Sequence, residues 1–109
     1  VKFFLHISRK EQTERLLARL ENPERNWKFS EADLEERKYW GDYQEAYEEA
    51  FSQCSVSEAP WYVIPADRKW YRDWAVAKIL LQTMRDMKLK FPAPLADVKA
   101  LRRKLQALS

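Results

Sequence analysis

At 109 residues the chain holds at most one domain, and 46% hydrophobic with 14% aromatic residues argues against disorder. Its one cysteine, Cys54, excludes an internal disulfide; its one glycine, Gly41, excludes a phosphate-cradling loop, a dinucleotide fingerprint or a nucleophile elbow within these residues. The net charge of +3 hides a division: residues 41–58 carry acids and no base, whereas residues 68–109 carry eleven Lys or Arg against three Asp. That pattern suits either an anionic partner or a solvated basic face.

Val1, Phe3, Leu5 and Ile7 alternate with Lys2, Phe4 and His6, which predicts a strand over residues 1–7. Because Phe4 makes the second face apolar too, this strand is expected to be buried on both sides. Ser8 with Glu11 predicts a capping box opening a helix. Leu16, Leu17 and Leu20 form its apolar stripe, and Asn22-Pro23 ends it. Residues 22–29 are a connector. Ser30 with Asp33 starts a second helix whose aromatic stripe, Trp40, Tyr43, Tyr47 and Phe51, is expected to be core. The pattern breaks from Ser52 to Pro60. Trp61 to Ile64, held between Pro60 and Pro65, reads as a second buried strand. Asp67 is a plausible N-cap for a third helix over about 68–88, with Trp70, Trp74, Ala77, Leu81 and Met84 facing inward. Pro92 and Pro94 set off a last helix with the stripe Val98, Leu101, Leu105 and Leu108.

Two buried strands joined by a helical crossover imply a parallel sheet, and two strands alone cannot bury their faces. The chain is therefore expected to be part of something larger or to pair with another copy. No apolar run approaches the ~20 residues of a membrane span and no signal peptide is visible, so a cytoplasmic protein without a membrane partner is expected.

The run NPERNWKFSEADLEERKYWGDYQEAYEEAF at residues 22–51 resembles the lid module of family-2 polyphosphate kinases. VKFFLHIS, followed by EQ-x-x-R-x-x-x-R, is similar to that family's strand and helix leading into the lid. APWYVIPADRKWYRDWAVAKIL resembles its closing strand, adenine-side loop and C-terminal helix. Three motifs in order, spanning Val1 to about Phe91, make the match specific. The resemblance implies an α/β fold, mostly helical here: the C-terminal part of a P-loop kinase-like fold with two short parallel-type strands and about four helices. The parts would be strand and helix at 1–21, a lid-like module at 22–59, closing strand and helix at 60–91, and a last helix at 92–109.

The same resemblance implies phosphoryl transfer between inorganic polyphosphate and a nucleoside mono- or diphosphate, with magnesium. Arg25, Lys28 and Arg37 match lid positions and are expected to face the phosphate chain; Asp67, Lys69 and Arg72 match the nucleotide side. The blander roles are an i, i+4 pair with Asp33 for Arg37, a helix cap for Asp67, and solvated charges for the rest. The family's glycine-rich loop and its magnesium-binding Asp are absent from these residues, so no catalytic or metal-binding residue is expected here and the chain alone should be inactive. His6 reads as structural and Cys54 as inert. The expected partners are polyphosphate and nucleotide, with self-association or contact with the missing N-terminal part. Two other readings stay open: a non-catalytic basic helical module for nucleic acid or polyphosphate, and a structural oligomerisation segment.

Overall fold

A computed structural model describes residues 1–109 as two strands, five α-helices and one 3-10 turn. Two compact units result, Val1–Ile79 and Leu80–Ser109. In the first, β1 (Lys2–His6) and β2 (Trp61–Pro65) pair in parallel, with Phe3 opposite Tyr62 and Leu5 opposite Ile64. The crossover between them carries α1 (Arg9–Glu21), the 3-10 turn Asn26–Lys28, α2 (Glu31–Arg37) and α3 (Trp40–Cys54). Both strands and their direction agree with the alternation and proline boundaries in the sequence.

Of the strand residues only Ile64 is buried, and Leu5 and Val63 are about half exposed, so the two-sided burial expected of the strands is not met. α3 packs on the face that carries Phe4 and Trp61, while Ile64 lies on the opposite face. Phe4 meets Tyr47 in a tilted contact at 4.2 Å and Phe51 at 5.3 Å, and Phe51 meets Trp61 edge-on at 5.4 Å. Part of the predicted aromatic stripe thus packs on the sheet in the tilted and edge-on geometry that ring quadrupoles favour, but none of it is buried: Trp40 and Phe51 are half-buried and Tyr43 and Tyr47 exposed.

The second predicted helix is two. At its break the amides of Lys38 and Tyr39 bond to the carbonyls of Glu35 and Glu36, three residues back, and the tightened turn ends α2. Tyr43 N–H then bonds to Tyr39 at 2.9 Å and α3 begins. Ser30 and Asp33 form a complete capping box at the start of α2. The box predicted at Ser8 is only half made. The Ser8 hydroxyl accepts from Glu11 N–H, but the Glu11 carboxylate turns to Arg15, and the Ser8 amide goes elsewhere. Leu16 is half-buried but Leu17 and Leu20 are about half exposed, so the α1 stripe is only partly covered.

In α4 (Lys69–Asp86) the one buried residue is Ala75, with Tyr71, Arg72, Val76 and Ile79 half-buried beside it. The predicted inner face of Trp70, Trp74, Ala77, Leu81 and Met84 is exposed instead. This helix is apolar on more than one side, so aromatic spacing alone does not choose the inner face. Asp67 is not its N-cap, because the helix starts at Lys69. In the second unit α5 (Val98–Ala107) is capped by Asp97, whose carboxylate accepts from Lys99 and Ala100 N–H; its stripe of Val98, Leu101, Leu105 and Leu108 lies open. No helix is long and apolar enough to cross a membrane.

Candidate functional site

Ligands of α/β sheets sit beyond the carboxyl ends of the strands, here the region around Ser8 and Asp67. Three links hold it together. The Asp67 carboxylate accepts the Ser8 N–H at 2.6 Å. Arg15 donates to the Ala66 carbonyl at 2.8 Å and the Asp67 carbonyl at 3.3 Å, while its Nε pairs with Glu11 at 2.9 Å. Arg37 donates to Thr13 Oγ1 at 2.5 Å and to the Arg9 carbonyl at 3.3 Å, which ties α2 to the first turns of α1. The expected i, i+4 pair of Arg37 with Asp33 does not form, because Asp33 closes its own capping box with Ser30.

The Asp67 carboxyl is held below the usual aspartate range, first by the Ser8 N–H and then by the Ser8 hydroxyl, with Arg15 and His6 adding to the effect against a small desolvation cost.

From this frame α1 projects with Arg15, Ala18, Arg19 and Asn22 on one face, as i, i+4 pairs. With Arg25 and Lys69 they line a cavity of about 270 Å³ that has four cations and no carboxylate in its wall. Glu11 neutralises part of Arg15; Arg19, Arg25 and Lys69 belong to none of the chain's ion pairs. Like charges gathered without counter-charge leave the site ready for a multivalent anion. Of the six residues expected to act, the structure brings Arg25 and Lys69 together here. Lys28 lies apart on the 3-10 turn, with its ammonium 5.0 Å above the Trp27 ring. Arg72 is paired with Asp73 at 2.8 Å, and Asp67 is engaged by Ser8. Arg15 and Arg19 were not singled out, although their four-residue spacing on a helix leading to Arg25 was a usable signal.

A second cavity, of about 250 Å³, opens at the carboxyl end of β1 beneath α2 and α3. Trp40, Tyr43 and Tyr47 wall it together with Phe4, and Arg37 and Gln12 supply polar groups. The Tyr43 hydroxyl donates to Glu36 at 2.6 Å; that hydrogen bond, followed by the carboxylate's charge, pushes the phenol's pKa up.

No three His, Cys, Asp or Glu side chains converge in the chain.

The family model for polyphosphate kinase 2 matches residues 1–92. The AMP/ADP-polyphosphate phosphotransferase of Meiothermus ruber is 53% identical over 94 residues, covering 86% of this chain and 35% of that protein. The ADP-polyphosphate phosphotransferase of Rhodopseudomonas palustris is 51% identical over 92 residues, covering 84% of this chain and 32% of that one. The crystal structure of polyphosphate kinase 2 from Arthrobacter aurescens superposes with a TM-score of 0.86 at 45% identity, over 99% of this chain and 38% of that chain. The chain thus spans about a third of the length of these relatives. With the match running from β1 through α4, the chain belongs to the polyphosphate kinase 2 family.

Proposed function

We propose that this chain supplies the lid and closing segment of a cytoplasmic kinase that moves phosphoryl groups between inorganic polyphosphate and nucleoside mono- or diphosphates. The observation that carries the reading is the cavity whose wall holds Arg15, Arg19, Arg25 and Lys69 and no acid. Phosphoryl transfer asks little covalent chemistry of a protein and much positioning and charge neutralisation, which is what such a wall supplies. The names of the Meiothermus and Rhodopseudomonas relatives support the pairing of polyphosphate with an adenine nucleotide.

In this reading Arg15 is the fixed cation, held by the Ala66 and Asp67 carbonyls, and Arg19 and Arg25 are the free ones that meet successive phosphates. Lys28 extends the basic track along the lid connector, and Lys69 reaches the same anion from the nucleotide side. Arg37 and Asp67 set the angle of the lid arm, and Arg72 stands beside the nucleotide with its charge shared by Asp73. Magnesium accompanies the phosphates on groups outside these residues. The apolar surface left open on α1, α4 and α5 is covered by the rest of a longer protein or by a second copy.

Calorimetric titration of the purified chain with tripolyphosphate tests the reading. Binding that weakens with salt, and falls about 10-fold in Arg19→Ala or Lys69→Ala, is expected. Affinity indifferent to both substitutions would sink it.

A further inference from the structure

We propose that α5 is a docking arm: its apolar stripe, flanked by cations, seats on the acid-edged tyrosine groove of α3 in a second copy of this chain. This pairing goes beyond the proposed phosphoryl transfer and uses none of the residues assigned to it.

The arm is built for an acidic, partly apolar surface. Val98, Leu101, Leu105 and Leu108 run along one side of α5 and are between 53% and 86% exposed. At about 3.6 residues per turn, Arg102 and Lys104 fall on the two flanks of that stripe, with Lys99 and Arg103 behind it. None of these four cations belongs to an ion pair, and the nearest acid, Asp97, is held by the helix's own amides. Lys88, in left-handed backbone at φ 50, follows the end of α4, and Pro92 and Pro94 keep the link that follows from turning helical. The polyphosphate kinase 2 match stops at residue 92, before α5 begins.

The complementary surface is on α3. Tyr39, Asp42, Tyr43 and Ala46 line an open groove of about 330 Å³. Asp42, Glu45 and Glu49, spaced i, i+3, i+7, form one edge of it; all three are exposed and none is in an ion pair. Leu101 and Leu105 repeat with the same four-residue step as Tyr39 and Tyr43, about 6 Å along a helix axis, so the leucines can sit against the tyrosines in register. The ten residues of α5 make a rod of about 15 Å, shorter than the ~22 Å of α3. An apolar centre with opposite charges around it is the usual anatomy of a specific contact, and the charges fix its register. Every copy carries both halves. Reciprocal exchange, each arm on the other's groove, uses the contact twice and brings the buried surface toward the roughly 1,200 Å² of a stable twofold pair. An anionic lipid surface would satisfy the arm but leave the acid-edged groove without a counterpart.

Sedimentation equilibrium of the purified chain, without polyphosphate, tests the pairing. A monomer–dimer equilibrium that weakens with salt is expected. Arg102→Glu with Lys104→Glu gives a chain whose stripe flanks and groove are both acidic, and Asp42→Lys with Glu49→Lys gives one in which both are basic. Each is expected to lose affinity for itself by about 10-fold or more, and an equimolar mixture of the two to recover it. A contact within one chain could not be restored by mixing. A chain that stays monomeric at about 100 μM, pairing indifferent to both reversals, or no recovery in the mixture would overturn the proposal. So would binding to phosphatidylglycerol vesicles by a chain that does not pair, which would assign the arm to a membrane surface.

Discussion

The Asp67 carboxylate, at the end of β2, accepts the backbone N–H of Ser8, at the end of β1, at 2.6 Å across 59 positions of sequence. The aspartate thus takes the place that Glu11 would fill in a complete capping box, and it joins the two strand ends from which α1 and α4 leave. Its consequence for stability is directional. A carboxyl whose folded pKa lies below its unfolded value of about 4 stabilises the fold above that value and loses the contribution as pH falls through the folded pKa. Asp67→Asn should therefore be less stable than the unaltered chain near neutrality, with the difference closing below about pH 4. Urea midpoints measured across that range check it; a gap that persists at the acid end would point to packing instead of charge.

At the alkaline end the sign reverses. The Tyr43 phenol, hydrogen-bonded to Glu36, has its pKa raised above the ordinary tyrosine value, so it stabilises below about pH 10 and loses that contribution as pH rises through the folded pKa. Phenolate absorbance should show Tyr43 titrating late, and Glu36→Gln should bring its titration earlier. If the two titration curves coincide, the hydrogen bond does not form in solution.

Arg37 should matter to the fold as well as to any ligand. Its bonds to Thr13 and the Arg9 carbonyl join α2 to α1, and hydrogen bonds to charged groups contribute about 1.5 to 3 kcal/mol. Arg37→Ala is expected to lose about 1 to 2 kcal/mol, with Thr13→Ala non-additive to it in a double-mutant cycle. Additive losses would mean that the two side chains do not meet.

Much of this architecture was legible in the sequence. The period-2 alternation of Val1 to Ile7, the prolines around Trp61 to Ile64, and Ser30 with Asp33 each fix a piece of backbone locally. Family motifs then order the pieces, and they drew attention to Arg25 and Lys69. What could not be read is what the crossover brings together. Ser8 gives no hint that its amide will meet Asp67, and Arg15 and Arg19 look like ordinary helix cations until β2 places Lys69 beside them. The two-sided burial expected of the strands failed for a related reason: alternation reports the apolarity of a face, and says nothing about how much of this chain is there to cover it.

The inner face of α4 was misread because Trp70 and Trp74 outweigh Ala75 on any hydropathy scale. The structure turns the smaller residue inward. Ala75→Leu should therefore cost about 1 to 3 kcal/mol by overpacking, whereas Ala77→Leu, on the exposed side, should stay within about 0.5 kcal/mol. Thermal melts of the two variants decide between the faces, and the reverse order would restore the aromatic register.

The parallel pairing of Lys2 with Trp61 has a kinetic side. No strand hydrogen bond can form until the whole intervening chain has looped back, an entropy cost on the order of 3 to 4 kcal/mol for a loop of this length. Helices α1 to α3 need no such closure. They can form within microseconds and wait for it. In a refolding trace, helical signal should therefore lead, and the near-ultraviolet signature of Phe4, Tyr47, Phe51 and Trp61 clustering should lag, because that cluster spans the loop. Between those two events the crossover helices exist before the sheet they stand on.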